Sequence, residues 1–203
     1  MEKDPKRKSM IIVVSSPSGG GKTTIVNALL SKVRGIKRSV SHTTREPRND
    51  EKEGTDYMFV SEEDFHQKAE RGDFLEWEQN FGHFYGTSQG KVREMMEGGE
   101  DVILSIDVKG ARLVKKAFPE SISVFIMPPS MKALSERLTR RNTEQSKQMA
   151  QRLKESEKEI ASADEYDYLI VNEDVDDAVG EMKIIIEKER KNRTIKETIK
   201  KDE

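Results

Sequence analysis

The chain has 203 residues, of which 33% are hydrophobic and 36% are charged. This length suits one domain with inserted subdomains, and this apolar fraction is enough for a modest core. The 36 basic and 38 acidic residues give a formal net charge of −2, so the overall charge favours neither nucleic acid nor an anionic membrane as a partner. Cysteine is absent and histidine occurs three times, which excludes disulfides and leaves no material for the common zinc motifs.

No apolar stretch approaches the length of a membrane span, and residues 1–8 are mostly charged. A secretory leader would place an apolar segment before the first strand, and this chain has none there. We therefore predict a soluble, cytoplasmic protein.

Short β-type runs at 10–14, 102–106, 122–126 and 168–171 alternate with amphipathic segments. This alternation predicts the α/β class, with a parallel sheet flanked by helices. The intervening patterns divide a single predicted domain, 1–203, into parts. These are a core at about 9–37, 101–137 and 164–191, an aromatic-rich mixed α+β insertion at about 38–100, a helical lid at about 138–163, and a charged tail, predicted to fray, at 192–203.

The segment 15–24, Ser-Ser-Pro-Ser-Gly-Gly-Gly-Lys-Thr-Thr, joins the first predicted strand to the first predicted helix. Glycines allow positive φ, and the loop amides together with the helix N-terminus form a cradle for phosphate. Lys22 would reach the β- and γ-phosphates of ATP, and the Thr23 hydroxyl would bind Mg²⁺. The predicted ATP contacts in the loop are Ser16, Pro17, Ser18, Gly19, Gly20, Gly21, Lys22, Thr23 and Thr24.

This loop departs from the usual pattern at Ser16, where a phosphate-binding loop has glycine. The alternative is a glycine-rich hairpin turn. A hairpin turn rarely carries a Lys-Thr-Thr helix start immediately behind a buried strand, so we favour the nucleotide interpretation.

A second cluster lies within the predicted insertion, where Arg45 and Arg48 are followed by Tyr57 and Tyr85. Two arginines three residues apart suit a dianionic phosphate, because guanidinium groups bind phosphate oxygens bidentately and stay charged. Taken alone, the arginines could equally be solvated loop charges. Together with the phosphate loop they indicate a second phosphate site.

Six motifs, in this order and spacing, resemble the guanylate kinase family over about residues 10–186. They are Ser-x-Thr-Thr-Arg-x-Pro-Arg at 41–48, Gly-x-Asp-Tyr at 54–57, Glu-Trp at 76–77, Tyr-Gly-Thr at 85–87, Ile-Asp at 106–107 and Ile-Val-Asn at 170–172. The resemblance implies a P-loop NTPase-type core with an inserted GMP-binding subdomain and a helical lid. It also implies Mg²⁺-dependent transfer of a phosphoryl group from ATP to GMP, and to dGMP, in purine nucleotide metabolism. The implied partners are these small molecules, without nucleic acid or membrane.

The resemblance also implies roles for individual residues. The phosphate of GMP would be held by Arg45, Arg48, Tyr57 and Tyr85, with Glu51 nearby. The guanine would be read by Ser41, Glu76, Thr87 and Asp107. The groups that stabilise the transferring phosphoryl would be Lys22, Arg45, Arg137, Arg141 and Arg152. Asn172 would lie beside the adenine of ATP.

Several of these residues also have a purely structural interpretation. Glu76 and Trp77 could alternate along a strand, with Trp77 in the core and Glu76 in solvent. Asp107 could cap a helix over 108–117, which is the commoner use of Asp after a strand. Arg137 and Arg141 could pair with their acidic neighbours. Ser105 stands where the family often has an acidic residue, which would leave less charge near Mg²⁺.

The acceptor in this reaction is a phosphate oxygen that is already anionic near neutral pH, so the mechanism requires no general base.

Two other classes of protein also have to be weighed against a guanylate kinase. A non-enzymatic binding module would lack Lys22 and the lid arginines, whereas a kinase for another phosphorylated acceptor would lack base-reading residues such as Glu76. This chain has Lys22 and the lid arginines as well as the base-reading residues, which favours a guanylate kinase over both alternatives.

Overall fold

The computed structural model describes residues 7–49, 51–80, 82–141 and 146–202, with the side chains of 140–141, 146–149 and 195–202 outside this description. In chain order the elements are β1 (Ile11–Ser15), α1 (Lys22–Lys32), β2 (Ile36–Arg38), β3 (His42–Thr43), β4 (Met58–Phe59), α2 (Glu62–Glu70), β5 (Phe74–Asn80), β6 (His83–Ser88), α3 (Gln89–Glu97), β7 (Asp101–Ser105), α4 (Val108–Ala117), β8 (Ile122–Met127), α5 (Met131–Arg141), α6 (Ser146–Ile160), β9 (Tyr168–Val171) and α7 (Val175–Asp202).

The main sheet has five parallel strands in the order β2-β7-β1-β8-β9. Every residue of the central strand β1 is buried, as expected where helices cover both faces of a parallel sheet. Ile12 and Val14 pack on one side in a core cluster with residues of α1 and α7, while Ile11 and Val13 pack on the other side with residues of α3 and α4. The predicted α/β class is confirmed, and the four predicted strands agree with the structure to within one residue.

The second sheet contains four shorter strands in the order β4-β3-β6-β5. Its outer surface holds the buried ring of Phe65 from α2, which stacks on Phe74 and Phe84. Buried and exposed side chains alternate along β5, but Glu76 is the buried one at 6% exposure and Trp77 is the exposed one at 42%. This is the opposite of the structural interpretation, in which Trp77 lies in the core and Glu76 in solvent. Residues 76, 78 and 80 therefore share the inner face of β5.

The predicted lid and the predicted tail both contain helix. Helix α6 begins at Ser146 and ends at Ile160, followed by a short 3₁₀ turn at Ala163–Glu165, while residues 142–145 of the predicted lid lie outside the described residues. Helix α7 continues to Asp202, so the expectation of a frayed tail at 192–203 is wrong for its backbone as far as Asp202. That segment contains neither Gly nor Pro to end a helix, and Arg193 donates to the Glu120 carbonyl. No helix in the described part of the chain is long and apolar enough to cross a membrane.

A buried carboxylate ties three separate segments together at one end of the main sheet. The side chain of Asp101 is 0% exposed. It accepts from both terminal nitrogens of Arg7 at 2.7 and 3.0 Å, from Nε of Arg190 at 2.8 Å and from the backbone N–H of Met10 at 3.0 Å. The cluster joins the segment before β1, the start of β7 and helix α7, and it lies far along the sheet from the phosphate loop.

We expect Asp101→Asn to lower the free energy of unfolding by about 3 kcal/mol, because it leaves two arginines without a charged partner at a buried site. Urea unfolding followed by circular dichroism measures this change. The matched control is Asp176→Asn, since Asp176 pairs with Lys32 at an exposed position and its loss should barely move the transition. Equal, small shifts in both variants would contradict a supporting role for the Asp101 cluster.

Candidate active site

The loop between β1 and α1 has a backbone shape that only glycine accommodates. Gly19 and Gly21 have φ values of +83° and +99°, in the left-handed region that other residues seldom adopt. A Cβ at Gly21 would also stand 2.2 Å from Nδ2 of Asn172. Within the loop, the N–H of Gly20 donates to the Pro17 carbonyl at 2.8 Å. Ser16, at the position of the missing glycine, is buried, and its hydroxyl bonds to the Pro17 carbonyl.

Asn172 supports this loop from behind. It is 3% exposed, and its Nδ2 donates to the Gly20 carbonyl at 2.8 Å. Arg137 donates in turn to the Asn172 carbonyl at 3.0 Å. Asn172 and Arg137, which were predicted to contact adenine and phosphate, therefore also hold the loop in place.

Lys22, the first residue of α1, lies where two cavities meet. Its Nζ donates to the Ile106 carbonyl at 2.8 Å. Burial lowers the pKa of Lys22, while the nearby carboxylates of Asp107, Glu159 and Glu76 act to raise it. The two cavities, of about 650 Å³ and about 210 Å³, share Lys22, Asn80 and Asp107 in their walls.

The larger cavity contains the loop, including Thr23, and is closed by one face of α6. Thr24 is exposed and is not among the residues that line this cavity. Glu159 of α6 reaches the loop, where its Oε2 accepts from the N–H of Ser18 at 3.4 Å. Burial raises the pKa of Glu159 to about 7, although Lys22 opposes this shift.

Sequence reasoning missed this face of α6, although a periodic signal was present. The residues that line the larger cavity from α6 and the turn after it recur at the spacing of a single helix face. They are Glu155, Lys158, Glu159 and Ser162. Only the fold reveals that this face turns towards the loop.

Besides Lys22, the smaller cavity brings together five of the residues that were predicted to bind GMP. They are Ser41, Tyr57, Glu76, Tyr85 and Asp107. It also contains Glu78 and Asn80, which sequence reasoning missed. Their alternation with Glu76 along β5 was the available signal, once Glu76 is known to face inward.

Glu76 is held at the base of the smaller cavity. Its Oε1 accepts from the hydroxyl of Thr87, the residue opposite it on β6, at 2.5 Å. Helix α4 approaches so closely that a Cβ at Gly110 would stand 2.8 Å from Oε2. Burial raises the pKa of Glu76 to about 7, and the bond from Thr87 limits the rise.

Asp107 was interpreted from the sequence either as a helix cap or as a residue of the guanine site, and its two carboxylate oxygens have different surroundings. Its Oδ1 accepts from the N–H of Gly110 at 3.0 Å, which confirms that it caps α4. Its Oδ2 lies 3.5 Å from Nδ2 of Asn80. Because Asp107 also lines both cavities, the capping role leaves one oxygen directed at the site.

The predicted phosphate cluster of the insertion is also assembled. Nη2 of Arg45 lies 2.8 and 2.9 Å from the two carboxylate oxygens of Glu51, and Glu51 also accepts from the N–H of Arg48 at 2.8 Å. The Arg45 guanidinium is 5.5 Å from the centre of the Tyr57 ring, which in turn lies 6.0 Å from the Tyr85 ring. Arg48 itself is exposed.

Three further residues singled out from the sequence are Ser105, Arg141 and Arg152. Arg152 is half-buried on α6, while the side chain of Arg141 lies outside the described residues. Ser105 lines the smaller cavity rather than the larger one. Within the part of the chain that the structure describes, no group of three or more His, Asp or Glu side chains is arranged to hold a metal ion.

Comparison with known proteins gives one consistent result. The family model described as guanylate kinase matches residues 8–189. The guanylate kinase of Symbiobacterium thermophilum is 46% identical over 94% of this chain and 90% of its own length, and that of Caldanaerobacter subterraneus is 43% identical over 89% and 88%. The crystal structure of guanylate kinase from Anaplasma phagocytophilum has a TM-score of 0.76 and 37% identity, covering 91% of this chain and 88% of that chain.

We expect Glu76 to titrate near pH 7 in the ligand-free protein, as measured by NMR of ¹³C-labelled glutamate side chains. Thr87→Val should raise this pKa further, because it removes a hydrogen bond that favours the carboxylate. Glu94 provides an internal reference, since its bond with Lys91 lowers its pKa. A Glu76 signal that titrates together with Glu94, or one whose pKa falls in Thr87→Val, would contradict this assignment.

Proposed function

The chain belongs to the guanylate kinase family and is an enzyme that phosphorylates GMP to GDP with ATP, and we propose that its two adjoining cavities hold the two nucleotides of this reaction together. The larger cavity would take ATP and the smaller one GMP. The observation that carries this proposal is the position of Lys22, whose ammonium group lies in the wall of both.

The buried carboxylate of Glu76 is suited to read the guanine of GMP. Guanine presents N1–H and the 2-amino group as adjacent donors, and a carboxylate can accept from both. Adenine offers an unprotonated N1 and no 2-amino group, so it would leave a buried acceptor facing a lone pair. Ser41 and Asp107 line the same cavity, Thr87 holds Glu76 through its hydroxyl, and together these residues would complete the recognition of the base.

The phosphate of GMP would occupy the other end of the smaller cavity. Tyr57 and Tyr85 line it there and can donate through their hydroxyls, while Arg45 and Arg48 supply positive charge. Glu51 would act as a positioning residue. Its contacts with the Arg45 guanidinium and the Arg48 backbone fix both arginines relative to the tyrosines.

The phosphates of ATP would bind the loop amides from Ser16 to Gly21 together with Lys22 and the helix N-terminus. Glu159 occupies the N–H of Ser18, so we expect the arriving phosphate to take over this donor and displace the carboxylate. Mg²⁺ prefers oxygen ligands and usually keeps several waters. The hydroxyl of Thr23 and the carboxylate of Asp107 line the same cavity and fit this preference, with Thr23 as the direct ligand. When bound, the ion would supply positive charge that neutralises the phosphates of ATP.

Catalysis by these groups consists of positioning and charge neutralisation. Lys22 would stabilise the transferring phosphoryl group, and Arg45 would align the acceptor oxygen. We also propose that the insertion at about 38–100 and the lid at about 138–163 close on the core. Closure would bring Arg141 and Arg152 to the phosphates and exclude water, which would otherwise accept the phosphoryl group. Arg137 would contribute through the loop that it supports.

The wider setting of the reaction is part of the same proposal. We expect the enzyme to act in the cytoplasm in purine nucleotide metabolism and to accept dGMP as well as GMP. We expect no nucleic-acid or membrane partner, because a protein with a net charge of −2 does not attract nucleic acid or an anionic membrane surface.

The selectivity of the base site is tested by comparing kcat/KM for GMP, IMP and AMP with ATP as donor. We expect GMP to exceed AMP by roughly tenfold to a hundredfold or more, with IMP between them, because an unpaired buried acceptor is costly. Glu76→Gln should reduce this ratio. Equal use of GMP and AMP by the wild type, or an unchanged ratio in the variant, would point to a different acceptor.

The raised pKa of Glu76 predicts how GMP binding depends on pH. Only the deprotonated group accepts from both guanine donors, so the affinity should be full above pH 7 and fall by about tenfold per pH unit below it. Calorimetry of GMP binding from pH 5.5 to 8.5 measures this. The phosphate of GMP titrates in the same range, so the control is Glu76→Gln, which should show only the weaker dependence of the ligand. Parallel profiles for both proteins would contradict the prediction.

Removal of the shared ammonium group tests the assignment of the phosphate loop. Lys22→Met should lower kcat at least about a hundredfold, because it removes a buried charge at the transferring group, while GMP still binds. Lys32→Met, at the exposed end of the same helix, is the matched control and should retain activity. Near-normal turnover in Lys22→Met would refute the assignment.

A further inference from the structure

A second acidic residue, Glu78, lines the acceptor cavity and has no role in the reaction as described so far. Glu78 lies two residues beyond Glu76 on β5 and lines the smaller cavity. Its side chain is 12% exposed, and its Oε2 is fully buried without a hydrogen-bond partner. Nζ of Lys109 forms a long ion pair with the same oxygen at 4.0 Å, from a side chain that is 72% exposed, and this distance is too long for a hydrogen bond.

A buried carboxylate oxygen without a donor is costly, so its presence in a binding cavity calls for a donor that arrives with the ligand. GMP carries few hydrogen-bond donors. Its base donors are N1–H, which Glu76 would accept together with one N–H of the 2-amino group, and the second amino N–H, which belongs to the base end of the cavity; its phosphate is largely ionised near neutral pH. The ribose hydroxyl groups are the donors that remain.

The strand register places Glu78 at the right part of the cavity for this contact. Glu76 lies opposite Thr87, at the end that reads the base, and Glu78 lies opposite Tyr85, one step along the same face towards the end that holds the phosphate. One step along the same face of a strand is about 6.8 Å. In GMP the ribose joins the base to the phosphate, so it must lie between these two ends.

We propose that Glu78 is a specificity-determining residue that accepts a hydrogen bond from the ribose hydroxyls of the acceptor and so favours GMP over its deoxy analogues. This inference rests on the proposed function and deepens it. dGMP remains a substrate but a poorer one, because its entry leaves the Glu78 carboxylate with fewer donors.

The test measures kcat/KM for GMP, dGMP and 3′-deoxy-GMP with ATP as donor. We expect the wild type to prefer GMP by roughly tenfold or more over at least one deoxy analogue, as for the loss of a charge-assisted hydrogen bond. Glu78→Ala should bring that ratio close to one, mainly by raising KM for GMP. Glu78→Gln, which keeps the shape and one acceptor oxygen, should retain part of the preference.

Two controls separate this contact from a structural role. Gln79→Ala alters the next residue, on the opposite and exposed face of β5, and should leave the GMP to dGMP ratio unchanged. Lys109→Met should also leave the ratio unchanged, whereas it would mimic Glu78→Ala if Glu78 served only to hold Lys109. A merely structural loss in Glu78→Ala would lower the use of all three acceptors equally.

The proposal is overturned if the wild type uses all three acceptors equally, if Glu78→Ala leaves every ratio unchanged, or if Lys109→Met reproduces its effect. These outcomes are distinct from a failure of the proposed function. That failure would appear as equal use of GMP and AMP by the wild type, whatever the sugar preference.

Discussion

The burial of one ammonium group, that of Lys22, is the constraint on which the site depends. The lysine opens α1 directly behind the phosphate loop, and its Nζ is held by the Ile106 carbonyl at the end of β7. A buried cation is tolerated because carboxylates surround it. Burial also disfavours the charged form of these carboxylates, since it raises the pKa of both Glu76 and Glu159 to about 7. The site is thus rich in acceptors, which the donors of a guanine base and the cation that accompanies ATP would satisfy.

Support for the site is separate from support for the rest of the fold. The loop is held from behind by Asn172, which Arg137 supports in turn, and Leu138 of α5 packs so closely that a Cβ at Gly19 would stand 3.0 Å from its Cδ2. The Asp101 cluster secures the chain ends at the other end of the sheet. Changes in one group should therefore leave the other largely unaffected, because distant sites with no shared partners contribute additively.

Local patterns in the sequence were enough to predict the parts of the site that lie within one segment. The phosphate loop and the pair Arg45 and Arg48 belong to this class, because neighbouring residues already define their chemistry. Glu159 and Glu78 could not be identified in this way. The first matters only because α6 folds back onto Ser18, and the second only because β5 turns Glu76, rather than Trp77, inward. The support that Asn172 gives to the loop likewise depends on a contact between residues 152 positions apart.

The central claim is that one buried cation serves two nucleotides bound at once. A dinucleoside pentaphosphate with adenosine at one end and guanosine at the other tests it most directly, by calorimetry and by inhibition kinetics. We expect this compound to bind at least about a hundredfold more tightly than ATP or GMP alone, as for two linked ligands that span adjacent sites, and to compete with both nucleotides. Binding no tighter than that of ATP, or competition with only one of the two, would contradict the account.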